Sequence, residues 1–170
     1  MKFKITKKKV ISYTLQLIIL LVVVYGIQQW QTRNLLSNKS AAPSFSLQTL
    51  SNKIIEYKGA NNKKTILYFF SPWCSVCKIT SMNINSLRRA RDKSALNIYA
   101  VALSWKSKQE VEKFAQKHSL NVPVLLGDSS ISKDYKISSF PTIYIIDKNG
   151  IISHRLVGFT TGVGLKLRTL

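Results

Sequence analysis

Acidic side chains are scarce in this 170-residue chain, seven against 26 lysines and arginines, and cysteines are scarcer still at two. Two cysteines exclude a disulfide-dense miniature scaffold, in which several bridges replace a core. The two histidines, His118 and His154, stand at no finger spacing from the cysteines, so a four-ligand zinc site lacks donors. No internal repeat or low-complexity tract is visible. Length and an average apolar content therefore suit one folded domain with an appendage.

The appendage is N-terminal. MKFKITKKK precedes VISYTLQLIILLVVVYGI, residues 10–27, which contain no charge. As a helix that run is about 27 Å long, close to the roughly 30 Å hydrocarbon core of a bilayer. A cleaved signal peptide is the alternative, but the small residues Ser40-Ala41-Ala42 lie far beyond the apolar run. An uncleaved signal-anchor is expected. Lys2, Lys4, Lys7, Lys8 and Lys9 hold the N-terminus in the cytoplasm, which places the rest on the periplasmic side of an inner membrane. Trp30 suits an interfacial anchor. The divisions expected are a cytoplasmic basic segment (1–9), a transmembrane anchor (10–27), a polar linker (28–41) and a domain (42–170).

Dividing the charge makes it less extreme. Seven of the 26 basic residues precede Ser40 and all seven acidic ones follow it, so the exported part carries +12 of the net +19. Lys78, Arg88, Arg89, Arg91 and Lys93 gather just after the cysteines. A nucleic-acid surface is disfavoured for an exported domain. A solvated basic face, or one that attracts acidic partners and anionic headgroups, is expected instead.

Within the domain, Ile54–Tyr57 reads as a short strand, and residues 65–70 (TILYFF) read as a strand buried on both faces. Residues 74–91 read as a helix with Val76, Ile79, Met82, Asn83, Leu87 and Ala90 along one side and Ile84 outside that stripe. A strand at 97–103 leads to Ser107-Lys108-Gln109-Glu110, a capping box that opens a helix to His118. Residues 122–126 form a short strand, with Pro123 marking an edge or a start. A short helix at 129–135 precedes strands at 142–147 and 151–157, joined by the hairpin signal Asn149-Gly150. A last helix begins near Thr160 or Thr161, weakened by Gly162 and Gly164. This order predicts an α/β domain with parallel pairing and one closing antiparallel hairpin.

Both cysteines lie in SPWCSVCK, between the buried strand and the helix. Cys74 therefore sits at a helix N-terminus, where free backbone N–H groups and the macrodipole favour a thiolate over a thiol of ordinary pKa about 8.5. It is the expected nucleophile. Cys77, almost one turn on, faces the same way and is the expected resolving cysteine. A purely structural bridge across so short a loop gains little chain entropy. Copper(I) needs only two thiolates, so a copper-binding pair remains the rival.

Phe70-Ser71-Pro72-Trp73-Cys74-Ser75-Val76-Cys77-Lys78 resembles the Trp-Cys-x-x-Cys-Lys active site of thioredoxin-like proteins. Ser139-Phe140-Pro141-Thr142 resembles their cis-proline loop, and residues 42–47 resemble their domain start. The extra helix and strand across 107–126 are similar to those of the membrane-anchored TlpA and ResA group. No methionine stands directly before Cys74, so a copper-chaperone site is not matched.

The resemblance implies a thioredoxin fold, a central mixed sheet flanked by helices, and a thiol-disulfide oxidoreductase using Cys74 and Cys77. It implies that Pro141 is cis and that Trp73, Phe140, Pro141 and Thr142 shape the substrate surface, with no cofactor or metal. The implied substrates are disulfide-containing periplasmic proteins such as apocytochrome c, or thiols needing protection under oxidative or copper stress. Reduction is the expected direction over disulfide formation, with a membrane protein as electron donor.

Two departures stand out. Tyr68 occupies the place of the buried acid of cytosolic thioredoxins. Ser75, Val76, Lys78, Ile79 and Thr80 replace the acids that some ResA-like proteins carry. Water or the Tyr68 hydroxyl is left as proton partner for Cys77, and the Ser75-Val76 dipeptide assigns no potential.

Overall fold

The computed structural model describes residues 7–91 and 94–169. Lys2, Lys4 and most of the expected cytoplasmic segment, Lys93 of the basic run, and the terminal Leu170 lie outside the described residues. The chain divides into two compact units, Met1–Arg33 and Asn34–Leu170.

The first unit is helix α1 (Lys7–Thr32). Its Val10–Thr32 portion, 23 residues, is long and apolar enough to cross a membrane at about 1.5 Å per residue. Near its end the Arg33 guanidinium lies 5.3 Å from the Trp30 ring centre, a cation–π contact.

The second unit contains β1 (Phe45–Gln48), β2 (Ile54–Tyr57), β3 (Lys64–Phe70), α2 (Ser75–Ala90), β4 (Leu96–Ala102) and α3 (Lys108–Lys117). It continues through β5 (Val124–Leu126), α4 (Ser129–Asp134), β6 (Thr142–Ile146), β7 (Ile152–Val157) and α5 (Gly162–Arg168). The main sheet runs β5-β4-β3-β6-β7, parallel across β5, β4 and β3 and antiparallel across β3, β6 and β7. Pro123 precedes β5, which is an edge strand, so its missing N–H interrupts no ladder. A separate antiparallel pair joins β1 to β2.

Residue alternation along β3 builds two cores. Ile66, Tyr68 and Phe70 face a layer covered by α2, α3 and α5, whereas Leu67 and Phe69 face one covered by α4 and the β1-β2 pair. Each of these five side chains is fully buried, as a strand with neighbours on both edges and helices on both faces requires. The β6-β7 turn is set by Asp147, whose Oδ1 accepts from Asn149 N and Ile151 N. Gly150 there has φ +80, and a Cβ would stand 2.7 Å from Ala60 N.

Three expectations are corrected. The linker expected over 28–41 is absent as such, because α1 continues to Thr32 and the segment after it is tied to the domain. Lys39 N donates to Ile152 O, Ile152 N to Ser40 O, and Ala42 N to Gly150 O, while Leu35 is buried in the second core. Strand β1 has no counterpart in the sequence reading, because four residues, Phe45-Ser46-Leu47-Gln48, carry too little pattern. On α2 the buried face is Cys77, Thr80, Ser81, Ile84, Asn85 and Leu87. Val76, Ile79 and Met82 point outward, and Ile84, expected outside the stripe, is completely buried. The inward face is partly polar because it meets hydroxyl and amide partners: Asn85 Nδ2 donates to His118 O, and Asn85 Oδ1 accepts from Asn121 N.

This face assignment predicts that Ile84→Ala lowers unfolding free energy by about 2–5 kcal/mol, whereas Met82→Ala, at 64% exposure, changes it by about 0.5 kcal/mol or less. Urea denaturation of the two variants checks the difference.

Candidate functional site

Strand β3 ends at Phe70, and Ser71-Pro72-Trp73 turns the chain into α2. Cys74 N donates to Ser71 O at 3.0 Å. Cys74 itself is the N-cap of α2, with extended backbone, and its Sγ accepts the Cys77 N–H at 3.2 Å. A sulfur thus takes the place of the usual capping oxygen, so a free helix N–H is aimed at the atom that must carry negative charge. The two cysteines are joined as a disulfide with Cα atoms 5.3 Å apart. Cys74 is 7% exposed and Cys77 is 0% exposed.

The Phe140-Pro141 bond is cis. Because β6 is antiparallel to β3, with Thr142 opposite Phe69, the Pro141 loop lies at the end of the sheet where the cysteines begin. Trp73 bridges two loops: its Nε1–H donates to Ser104 O at 3.1 Å, and its ring packs edge-on to Phe140 with centroids 5.9 Å apart. Ser71 Oγ donates to the same Ser104 carbonyl.

The expected surface residues therefore divide. Trp73 is 63% exposed and Phe140 is partly exposed, but Pro141 is buried. Thr142 is corrected as a surface residue, being fully buried with its hydroxyl donating to Ser139 O at 2.8 Å. Its place in β6, inside the sheet, makes it a brace for the proline loop.

Beneath the dithiol lies a pair that the sequence reading half found. Tyr68, fully buried, donates its hydroxyl to Cys77 O at 2.8 Å and lies 3.2 Å from Ser81 Oγ. Ser81 Oγ donates to the same carbonyl at 2.9 Å. Burial pushes the Tyr68 phenol far above its ordinary pKa of about 10, opposed only by the Ser81 hydrogen bond. A neutral phenol whose proton is committed to a carbonyl cannot take the proton of Cys77, so Tyr68 positions the helix turn and is not a base. Ser81 escaped the sequence reading, although its spacing four residues after Cys77 was the available signal.

The histidines stand apart from the pair. His118 packs against Phe114, with ring centres 4.6 Å apart, and His154 lies in β7. Desolvation, then Lys117 and Lys78, lowers the pKa of His118; desolvation, then Arg168 and Lys64, lowers that of His154. Among the described residues no group of three or more His, Cys, Asp or Glu side chains is placed to hold a metal ion.

The model of the AhpC/TSA family matches residues 39–155, most of the chain and all of the site. The chain belongs to the AhpC/TSA family. Within reach of this family's thioredoxin-like members, the chain is 32% identical over 151 residues to the thioredoxin-like protein YneN of Bacillus subtilis, covering 84% of this chain and 89% of that one. It is 27% identical to the thiol-disulfide oxidoreductase ResA of Geobacillus thermodenitrificans, covering 94% and 95% of the two chains. The crystal structure of StoA from Bacillus subtilis superposes with a TM-score of 0.66 at 28% identity, covering 76% of this chain and 98% of that chain. The fold is thioredoxin-like, and with Cys74 and Cys77 in place the family member is a thiol-disulfide oxidoreductase.

Tyr68→Phe keeps the ring, which stacks on Phe70, and removes the bond to Cys77 O. A stability loss of about 1–2 kcal/mol is expected at neutral pH. The raised phenol pKa works in one direction: above pH 10 the unfolded tyrosine ionises while the folded one does not, so stability falls as pH rises. The gap between wild type and Tyr68→Phe therefore narrows above pH 10, as denaturation at a series of pH values will measure.

Proposed function

We propose that this oxidoreductase is held at the inner membrane by α1, with its N-terminus cytoplasmic and its dithiol on the periplasmic side, where it reduces protein disulfides. The observation that carries the site assignment is the asymmetry of the pair. Cys74 keeps 7% exposure and its Sγ accepts a helix N–H, whereas Cys77 is completely buried.

In the forward reaction the Cys74 thiolate attacks one sulfur of a substrate disulfide. The substrate S–S bond breaks, a mixed disulfide forms at Cys74, and the departing substrate thiolate takes a proton from solvent. Cys77, once deprotonated, attacks Cys74 Sγ and releases the second substrate thiol. The substrate gains two electrons and the dithiol becomes the Cys74–Cys77 disulfide. With Tyr68 committed as a donor, water is the proton acceptor for Cys77.

Trp73 and Phe140 form the exposed rim that meets the substrate, and the cis-Pro141 loop, braced by Thr142, supports that rim. The reducing direction follows the resemblance to the TlpA and ResA group, which also supports apocytochrome c or stress-exposed thiols as targets and a membrane protein as the source of electrons. Orientation rests on the lysines before the apolar run.

Wild-type protein should reduce a disulfide substrate with a thiol donor, and Cys74→Ser should abolish turnover. Cys77→Ser should accumulate a mixed disulfide through Cys74, identified by peptide mapping. Absence of that adduct refutes the assigned roles. Stoichiometric copper(I) binding with no redox turnover would replace this reading with a copper-binding one. Labelling of the reduced dithiol in intact cells by a membrane-impermeant thiol reagent tests the orientation, and labelling only after lysis reverses it.

A further inference from the structure

A depression of about 230 Å³ is lined by Pro72 of the active-site turn together with Lys78, Glu110, Lys113, Phe114, Lys117 and His118. Its walls come from two helices. Glu110, Lys113, Phe114, Lys117 and His118 are spaced three, four, seven and eight residues apart on and just beyond α3, which puts them on one helical face. Lys78 comes from α2, four residues beyond Cys74 and about 6 Å along the axis. Phe114 forms the apolar floor and stacks on Phe70, the last residue of β3 before the active-site turn.

Among the described residues these cations form no ion pair. The ion pairs among the described residues are Lys58–Glu56 and Lys108–Glu112, so Lys78, Lys113 and Lys117 have no carboxylate partner. Glu110 is the single acid in the lining, held by the hydrogen bond that its Oε2 accepts from Lys106 N at 2.9 Å, and it offsets only part of the lysine charge. The charges of Lys117 and Lys78 also reach His118, where they act with desolvation to disfavour the imidazolium. Three lysines against one glutamate around the concavity leave a net positive field that an anionic group would relieve.

We infer that this depression is a substrate-docking subsite that receives an acidic peptide segment flanking the disulfide of the target protein. The inference rests on the oxidoreductase reading above and adds the class of substrate. Pro72 lines the depression and lies two residues before Cys74. A chain whose disulfide sulfur reaches Cys74 can therefore place a carboxylate here after about three extended residues, at roughly 3.3 Å each. Lysines, as mobile point charges, suit a segment of variable sequence better than a fixed bidentate clamp would.

The test uses the full chain in nonionic detergent, carrying Cys77→Ser so that attack by Cys74 stops at the mixed disulfide whichever way electrons normally flow. The probes are disulfide-bonded peptides with Asp-Glu, Gln-Gln or Lys-Lys placed three residues from a cysteine. The acidic peptide should react roughly tenfold faster than the neutral one at low ionic strength, with the ratio falling towards one as salt is raised. Lys113→Glu with Lys117→Glu should invert the preference, and Lys113→Gln with Lys117→Gln should reduce it without reversing charge.

A ratio near one for the unaltered lysines overturns the inference, as does a ratio that both double variants leave unchanged. If the variants lose cosedimentation with anionic phospholipid vesicles while the peptide ratio stays the same, the surface reads lipid and the inference fails. If no peptide reacts, the oxidoreductase reading fails and takes this one with it.

Discussion

The pairing of β3 with a parallel neighbour on one edge and an antiparallel neighbour on the other governs the site. A parallel partner ends where β3 ends, so Phe70 lies opposite Ala102 and the loop after β4 arrives beside the cysteine turn. An antiparallel partner begins where β3 ends, so Thr142 lies opposite Phe69 and the proline loop arrives there as well. Three loops distant in sequence thus converge with no dedicated contact to gather them. Trp73 then joins them, through its bond to Ser104 and its edge against Phe140.

The same strand sorts the chemistry between its two faces. The layer beneath α2 holds the cysteines and the Tyr68–Ser81 hydroxyls, and the opposite layer holds a cluster of aromatic rings, Phe69, Tyr135 and Tyr144. In that opposite layer Tyr144 donates to Tyr135 O and Tyr135 to Pro43 O, while the buried Tyr57 hydroxyl has no partner among the described residues. Tyr135 thereby reaches Pro43, Tyr144 also accepts from Leu36 N, and both phenols keep their protons because desolvation penalises the phenolate.

Much of this was legible in the sequence, and the gaps have physical causes. Continuous apolar runs marked β3, β4 and β6 because strands covered on both faces admit few polar residues. The cysteine motif and Phe140-Pro141 were readable as local signatures. The orientation of α2 was not, since a helix packed against hydroxyls and amides buries Thr80, Ser81 and Asn85 and leaves Val76, Ile79 and Met82 outside. Hydrophobic periodicity assumes that the partner surface is apolar, and here part of it is Tyr68 and the His118 carbonyl. Thr142 was placed with the proline loop by its sequence neighbours, but strand register decided its burial. The short strand β1 depends on pairing with β2 and carries little pattern of its own.

The hydroxyl pair beneath Cys77 also sets how the site meets its surroundings. A carboxylate in that place would change charge with the acidity of the medium and alter the field at the sulfurs. Tyr68, its pKa raised by burial, and the Ser81 hydroxyl both stay neutral from acidic to neutral pH. The electrostatic floor of the dithiol is therefore the same in acidic as in neutral surroundings, a constancy supplied by two oxygen atoms that carry no charge in either.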